Sequence, residues 1–278
     1  MAETNTRAEN RKRWQGRSEV WRRFTADGPP RPDATTIALM EAVGAAPGKR
    51  ILDMAAGTGD PSIPLAERVA PDGIAVATDQ SEEMLIGARA RVEAGHPAPL
   101  FVVAGMEELP FADASFDGAT CRFGIMFPPD RIAAAKEARR VLKPGARIAY
   151  AVWGPLADNV QFATTRAVLL EFSHGQVGTE EPQRHGLAAR GALAAVLTSS
   201  GFAEVEEREL RVDNRIPAAR SPWRRAIEGE NAEWSRGLDA AARASLESRM
   251  AEAFAPYRSD DGWRLPTHVR LGIGTAPS

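Results

Sequence analysis

Short apolar runs alternate with amphipathic stretches along the middle of the chain. The apolar runs predict strands at 50–54, 74–79, 99–103, 117–123 and 146–152. Apolar residues that recur at helical spacing predict helices at 60–69, 81–93, 129–142 and 189–200. Because strands and helices alternate, we expect a parallel sheet with helices on both of its faces. Ligands of such sheets bind at the carboxyl ends of the strands, near the point where the strand order reverses.

The two ends of the chain follow different patterns. Residues 8–25 place apolar side chains among charges and predict an amphipathic helix, and residues 34–43 predict a second one. Residues 203–212 and 267–276 alternate like strands, whereas the segment 221–257 between them is strongly helical. We therefore expect an α/β protein with a doubly wound, mostly parallel sheet of seven strands and a helical cap at about 221–257.

The length of 278 residues fits one large domain with an elaborated cap. We divide the chain into an N-terminal helical segment, 1–46, that would lie over the ligand, and a main domain, 47–278. The single cysteine, Cys121, excludes an intramolecular disulfide and a cysteine-rich cluster, and we expect no metal.

The charge and hydropathy of the chain limit its partners. The net charge of −2 argues against a surface that coats nucleic acid. No apolar run approaches the roughly 20 residues that span a bilayer. We therefore expect a cytoplasmic protein that neither binds nucleic acid nor inserts into membranes. The oligomeric state stays open, a homo-oligomer included.

The loop after the first predicted strand carries the strongest chemical signal. It reads AAGTG at 55–59, and such glycine-rich turns between strand and helix often bind nucleotides. A dinucleotide fingerprint would contain a third glycine, which this loop lacks. Asp60 places a negative charge at the start of the next helix and Pro61 removes one N–H, so a pyrophosphate would be disfavoured. A ligand that carries an ammonium and a sulfonium would not be disfavoured in this way. The loop therefore favours S-adenosylmethionine over a nicotinamide dinucleotide.

Three further features support a site at the same edge of the sheet. Asp79 ends the second predicted strand, where an acid can accept the hydroxyl groups of a ribose. Ser81 is placed to cap the following helix. A tight loop at 104–117 follows the third strand, and small, bulky and basic residues at 121–127 follow the fourth.

Together these motifs resemble the class I S-adenosylmethionine-dependent methyltransferases, and most of all the ubiquinone/menaquinone-biosynthesis type and its small-molecule relatives. The order of the motifs carries the resemblance: ILDMAAGTGD, ATDQSEEML, EELPFADASFD, RFGIMF and EARRVLKPGARIAYAVWGP. The resemblance implies a Rossmann-like methyltransferase sheet. It also implies an enzyme that uses S-adenosylmethionine and releases S-adenosylhomocysteine.

The resemblance also assigns each part of the cofactor to particular residues. The methionine part falls to Asp53 and to the backbone of Ala55, Gly57 and Gly59. The ribose and the adenine fall to Asp79, Gln80, Met84, Met106 and Glu107. The sulfonium end falls to Arg122 and Phe123.

Two positions depart from the family pattern. Ala55 replaces the first glycine of the loop, and Gly105 replaces an acid that often binds the amino group of adenine. Either Glu107 or the backbone alone would then recognise adenine.

The acceptor is expected to be a small apolar or aromatic molecule, such as a quinone precursor or a natural product. Aromatic side chains in the N-terminal helix, after the fourth and fifth strands and in the cap would bind it: Trp21, Phe127, Trp153, Phe162 and Trp223. His174 and His185, in the polar segment 154–188, are the candidates for a general base. The alternatives are a nicotinamide-dependent oxidoreductase and a non-catalytic protein that binds S-adenosylmethionine.

Overall fold

The computed structural model describes residues 6–25, 30–177 and 183–278. The chain divides into two compact units. The first unit comprises Met1–Val152, Leu187–Leu210 and Arg270–Ser278, and the second comprises Trp153–Gly186 and Arg211–Val269. The segment predicted as a cap, 221–257, lies within the second unit.

The described residues form the following α-helices: α1 (Arg7–Thr25), α2 (Ala34–Ala42), α3 (Ser62–Val69), α4 (Glu82–Arg89), α5 (Arg131–Val141), α6 (Val160–Phe172), α7 (Ala192–Ser199), α8 (Ala232–Arg236) and α9 (Ala240–Phe254). Shorter helical turns are a 3₁₀ turn at Leu156–Asp158, a π-helical turn at Ala226–Glu230 and a 3₁₀ turn at Ala255–Tyr257.

The strands are β1 (Arg50–Met54), β2 (Ile74–Asp79), β3 (Leu100–Val103), β4 (Phe116–Arg122), β5 (Leu142–Trp153), β6 (Ala203–Pro217), β7 (Arg258–Ser259) and β8 (Gly262–Thr275). They form one sheet in the order β3-β2-β1-β4-β5-β8-β6, with β7 pairing antiparallel to β8. The first five strands of this order pair in parallel. The expected doubly wound, mostly parallel sheet is confirmed, and β7 is an addition to the seven strands predicted.

The strand order reverses between β1 and β4. From β1 the chain continues outward to β2 and β3, and then returns to pair β4 with the other side of β1. A crevice opens at the carboxyl ends of strands at such a reversal, because the helices that follow them leave on opposite faces. This edge of the sheet is therefore where the structure positions a ligand site.

The central strands form because both of their faces are buried. All residues of β1 except Arg50 are buried, as are all residues of β2 except Ile74. Strands enclosed on both faces read as continuous apolar runs, which is why the sequence predicted them so closely. Two of the helices that follow these strands, α4 and α5, begin at side-chain caps. Ser81 Oγ accepts a hydrogen bond from the Met84 amide, as expected, and Asp130 caps α5 in the same way.

One helix was not predicted. Residues 160–172, part of the segment 154–188 expected to be a substrate loop, form α6. The segment contains β-branched and polar residues such as Thr164 and Thr165, which give little local helical signal. The helix forms because Leu169 is buried in the core of the second unit, and tertiary packing supplies most of the stability of a short helix.

The second unit has an aromatic core of its own. Trp223 and Trp263 meet edge to face with ring centroids 5.6 Å apart, and Phe254 lies 5.3 Å from Trp223. Each buried indole N–H has an acceptor: Glu247 for Trp223 and the Arg220 carbonyl for Trp263. Aromatic pairs in these geometries add about 0.5–1.5 kcal/mol beyond the burial of their area.

We expect Phe254→Ala to destabilise the second unit by about 3–5 kcal/mol, because the side chain is fully buried and truncation leaves a cavity. Urea denaturation followed by tryptophan fluorescence measures this loss, since Trp223, Trp234 and Trp263 all belong to this core. Phe172→Ala is the matched control, because Phe172 is only partly buried at the edge of the core. Equal losses in the two variants would contradict the prediction.

Candidate functional site

The loop between β1 and α3 lies at the carboxyl edge of the sheet and turns sharply. Ala55, Gly57 and Gly59 all have positive φ values, of 54°, 53° and 103°. At Gly59 a Cβ atom would lie 2.6 Å from Cδ1 of Ile63, so the loop and α3 approach each other more closely than a side chain would allow. At Gly57, by contrast, a Cβ atom would meet no other atom within 4 Å, so there is open space beside the loop at that residue.

Asp53 lies at the end of β1 and is fully buried. Its Oδ1 accepts a hydrogen bond of 2.9 Å from the hydroxyl of Thr120 in β4, which joins the two strands at the reversal point. Its Oδ2 and the buried Oγ of Ser62 each lack a hydrogen bond of good geometry within the described part of the chain, although the Ser62 hydroxyl lies close enough to lower the pKa of Asp53. A cation beside Asp53 would pair its carboxylate more fully than this contact does.

Asp79 ends β2 and holds the glycine loop. One carboxylate oxygen accepts a hydrogen bond of 2.9 Å from the Gly57 amide, and the other accepts one of 2.9 Å from the Ser81 amide. Each oxygen keeps a second lone pair, so the group can still accept the two hydroxyls of a ribose.

Both carboxyl groups titrate near neutrality. Burial raises the pKa of Asp53 to about 7, against the opposing hydrogen bonds from Ser62 and Thr120, and the charges of Asp60 and Asp79 add to the increase. Burial also raises the pKa of Asp79 to about 6, although three backbone N–H groups favour its charged form. Desolvation is the main cause of both shifts, so a cation beside the two carboxyl groups would favour their charged forms.

Arg122, which follows from β4 into the site, is held between two carboxylates. Its guanidinium contacts Asp60 at 2.7 Å and Asp33, the N-cap of α2, at 2.5 Å. Asp60 also accepts a hydrogen bond of 2.7 Å from Thr36. Arg122 thus partly offsets the charge of Asp60, which still raises the pKa of Asp53. We expect Asp53 and Asp79, together with Asp60, to disfavour a pyrophosphate.

The turn after β4 packs tightly against the glycine loop. Phe123 has a positive φ of 57° and its amide donates to the carbonyl of Ala151. A Cβ atom at Gly124 would lie 2.6 Å from both Ala55 Cβ and Cys121 Sγ. Cys121 is buried, and burial raises the pKa of its thiol far above the usual range, so it is a core residue as expected.

The residues assigned to adenine lie after β2 and β3. Gln80 is half-buried, and Met84 is buried in α4. Met106 Sδ lies 3.7 Å from Cys121 Sγ. Glu107 accepts a hydrogen bond from the Asp130 amide and forms an ion pair with Arg7 at 3.4 Å, so its carboxylate is already engaged.

Helix α1 runs along this same edge of the sheet. Arg7 of this helix forms an ion pair with Glu107, and the ring of Trp14 lies 4.9 Å from the ring of Phe127. Arg22 packs against α4, where its Cγ would lie 2.7 Å from a Cβ atom at Gly87. These three contacts follow β3, β4 and β2 respectively. Trp21 of the same helix is half-buried, and Phe127 is buried.

The remaining residues predicted for the acceptor lie in the second unit. Trp153 and Phe162 meet edge to face at 5.0 Å, and Phe162 lies 5.9 Å from the ring of His185. Trp223 instead belongs to the buried core of that unit.

The candidate bases differ in their surroundings. His185 Nδ1 lies 2.6 Å from the Gly154 carbonyl oxygen, whereas His174 is exposed at the end of α6. The sequence analysis did not single out a third histidine, the buried His268, whose Nδ1 lies 2.9 Å from Asp158.

Known proteins resemble this chain in sequence and in fold. The model of the ubiE/COQ5 methyltransferase family matches residues 35–152. A demethylmenaquinone methyltransferase of Clavibacter sepedonicus is 36% identical over 184 residues, which cover 63% of this chain and 74% of that protein. The chain belongs to the ubiE/COQ5 methyltransferase family. These enzymes are class I S-adenosylmethionine-dependent methyltransferases.

Other relatives match shorter stretches of the present chain. An uncharacterised protein of Mycobacterium tuberculosis is 39% identical over 115 residues, 41% of each chain. The chain spans less than half the length of the first relatives that it matches, 41% to 48%. Among solved structures, the [4+2]-cyclase SpnF shares the fold with a TM-score of 0.60 and 17% identity, over 98% of this chain and 97% of that one.

The cofactor of the family, S-adenosylmethionine, fits the residues present. The incompletely paired Asp53 Oδ2 and the raised pKa of its carboxyl suit an ammonium group, and Asp79 has lone pairs for ribose hydroxyls. Sequence reasoning found both acids but missed Thr120, Ser62 and Thr36, which orient or surround them. Hydroxyl residues are common throughout the chain, and only their position beside the acids distinguishes these three.

Two negative findings accompany the site. Across residues 6–25, 30–177 and 183–278, histidine, cysteine and carboxylate side chains form no group of three or more that could hold a metal ion. None of the helices described above is both long enough and apolar enough to cross a membrane.

We expect the ligand-free protein to be less stable at pH 8 than at pH 6, by about 1–3 kcal/mol from the two buried acids. A carboxyl group whose pKa is higher in the folded than in the unfolded state favours folding when protonated, and this contribution is lost as the pH rises through about 6 for Asp79 and about 7 for Asp53. Urea unfolding at both pH values measures the difference, and Asp53→Asn should reduce it.

Asp117→Asn is the matched control for this prediction. Partial burial opposes the shift, but the hydrogen bond from Lys143 lowers the pKa of Asp117, so it does not titrate between pH 6 and 8. This variant should keep the wild-type difference. The prediction is wrong if Asp53→Asn keeps it as well.

Proposed function

We propose that this protein transfers the methyl group of S-adenosylmethionine to a small, apolar or aromatic acceptor related to quinone precursors. The observation that carries the proposal is the buried pair Asp53 and Asp79 beside the glycine loop, with Asp53 Oδ2 incompletely paired among the residues described. The acceptor class is supported by the relative from Clavibacter sepedonicus, whose name gives it a demethylmenaquinone substrate.

Each acid has a distinct role in this proposal. Asp53 would bind the ammonium of the methionine part, with the glycine loop providing backbone groups beside it. Asp79 would accept the ribose hydroxyls while its bonds to Gly57 and Ser81 keep the loop in place. When bound, S-adenosylmethionine supplies a methyl group on a positively charged sulfur that is a good leaving group. The negative potential of the two acids would attract this cation before any step of chemistry.

Arg122 would act as a positioning residue at this site. A free guanidinium near a sulfonium would repel it, but Asp33 and Asp60 neutralise this one and fix its position. Its role would then be to connect α2, the glycine loop and the end of β4. Phe123 adds an aromatic face, over which the Arg122 guanidinium lies at 5.0 Å from the ring centre.

Of the two predicted bases, we favour His185. A carbonyl oxygen can only accept, so Nδ1 of His185 carries the proton that it shares with Gly154, and Nε2 is the basic nitrogen of the neutral ring. The neighbouring rings of Phe162 and Trp153 offer apolar surface to an aromatic molecule. His174 has a positive φ of 51° and follows the last turn of α6, a position that ends the helix.

The other acceptor residues keep different roles. Phe127 and Trp21 remain proposed contacts in the first unit. Trp223 we assign to the core of the second unit, because its ring is buried and its N–H is bonded to Glu247.

The cofactor assignment predicts that S-adenosylhomocysteine binds and that NADH does not. Asp79→Ala should weaken binding by about 1–3 kcal/mol, because it removes an acceptor for the ribose. Isothermal titration calorimetry measures both ligands. Asp72→Ala, which removes an exposed carboxylate before β2, is the matched control and should bind like the wild type. Tight binding of NADH would instead favour the oxidoreductase alternative.

The acceptor assignment predicts methyl transfer from labelled S-adenosylmethionine to a demethylmenaquinol. His185→Gln should lower turnover about 10²–10⁴-fold if it removes the general base, while leaving the affinity for S-adenosylhomocysteine unchanged. His174→Gln is the matched control and should retain full turnover. Turnover unchanged in His185→Gln would reject this histidine as the base. Binding of the cofactor without transfer would indicate a non-catalytic protein.

A further inference from the structure

The loop between β3 and β4 connects the residues proposed for adenine to α5. It covers 104–115 and contains neither a helix nor a strand. At its start the Ala104 amide donates a hydrogen bond of 2.9 Å to the carbonyl of Asp79, the acid proposed for the ribose. Met106 and Glu107 follow shortly after. Because the loop lacks regular structure, its conformation depends on the side chains that bond to its backbone.

Arg140 of α5 holds the far side of this loop. Its guanidinium donates hydrogen bonds to the carbonyls of Phe111, at 2.7 Å, and Leu109, at 3.0 Å. A third bond, of 2.7 Å, goes to the carboxylate of Asp113. Two more, of 2.9 and 2.8 Å, go to Glu137 in the preceding turn of the helix. An arginine has five N–H groups in a planar fork, so these bonds use all of them and fix their directions.

Glu137 completes the contact with the loop. Its Oε2 accepts a hydrogen bond of 3.0 Å from the Leu109 amide, so side chains of α5 bond both polar backbone groups of Leu109. Hydrogen bonding by Arg140 lowers the pKa of Glu137, so the carboxylate stays charged at neutral pH. We call the side chains of Glu137 and Arg140 the α5 clamp. They bond the loop backbone as a neighbouring strand would in a sheet.

The beginning of α5 contacts the same loop. The amide of Asp130, the N-cap residue of α5, donates a hydrogen bond of 3.3 Å to Glu107. The loop is therefore attached to the end of β2 at its start, to the beginning of α5 at Glu107 and to the α5 clamp at 109–113. Met106 and Glu107 precede the clamp and follow the bond to Asp79. Their position relative to Asp79 therefore depends on both ends of the loop.

On the basis of the proposed function, we propose that the α5 clamp positions the loop that binds the adenine end of S-adenosylmethionine. Glu137 and Arg140 are positioning residues, because they bond the backbone of the loop. Without the clamp, the loop would populate conformations in which the adenine contacts are not formed. The apparent affinity of a ligand falls in proportion to the fraction of molecules that are competent to bind it.

Titration calorimetry of S-adenosylhomocysteine and of adenosine tests this role. Arg140→Met should weaken both ligands by the same factor, about tenfold, because both need the loop in place. Arg140→Lys should also weaken both, since an ammonium has only three N–H groups and cannot bond every acceptor of the guanidinium. Glu137→Gln keeps an acceptor for the Leu109 amide and should have a smaller effect, about threefold.

Two nearby cations provide matched controls. Arg139→Met changes the adjacent arginine of α5, whose guanidinium lies beside Gly201. Lys143→Met removes an ion pair of 2.8 Å with Asp117 in β4. Both variants should bind the two ligands within about twofold of the wild type. Asp53→Asn should instead weaken S-adenosylhomocysteine more than adenosine, because adenosine has no ammonium. Urea unfolding of each variant ensures that affinities are compared between folded proteins.

The possible failures separate the clamp from the cofactor assignment. Unchanged affinity in Arg140→Met and Arg140→Lys would reject the clamp and leave the assignment standing. Equal losses in Lys143→Met, or a much larger loss for S-adenosylhomocysteine than for adenosine, would indicate a general loosening of the site and also reject it. If Arg140→Met does not fold, Arg140→Lys and Glu137→Gln decide. Absence of binding to the wild type would reject the cofactor assignment and the clamp together.

Discussion

The site depends on one buried hydrogen bond, from the hydroxyl of Thr120 to the carboxylate of Asp53. It joins β1 and β4 where the strand order reverses, and it holds an acid in a place where water cannot solvate it. Burial raises the pKa of this acid to about 7, because its charged form is poorly solvated. A cation beside it would stabilise that charged form. The same hydrogen bond therefore links the two halves of the sheet. It also leaves the other carboxylate oxygen of Asp53 incompletely paired and able to bind a ligand.

The neighbouring charges refine this picture of ligand selection. Asp60 sits closest to the helix start, yet its charge is partly balanced by Arg122, and Arg122 is in turn balanced by Asp33. Asp53 and Asp79 are buried and have no ion pair with any described residue, so we expect them, together with Asp60, to favour a sulfonium ligand over a pyrophosphate. A carboxylate that is paired with its own counter-ion fixes the position of that counter-ion but adds little to the electrostatic potential of the site.

Local sequence patterns predicted those elements and site residues whose structure is determined by nearby positions in the chain. Strands β1 and β2 were found because both faces are buried, and Asp53 and Asp79 because they end these strands before a glycine loop or a cap. The ion pair between Asp60 and Arg122 joins positions far apart in sequence, and no periodic pattern in the sequence predicts it. Helix α6 was missed for a similar reason, since Leu169 is buried by residues more than fifty positions away in the chain.

The division of the chain has a consequence for how the protein can be handled. The second unit is built from two separate segments, Trp153–Gly186 and Arg211–Val269, with part of the first unit between them. No single truncation can release it. Deleting Trp153–Gly186 removes Leu169 from the core of this unit, and deleting Arg211–Val269 removes Trp223, Phe254 and Trp263.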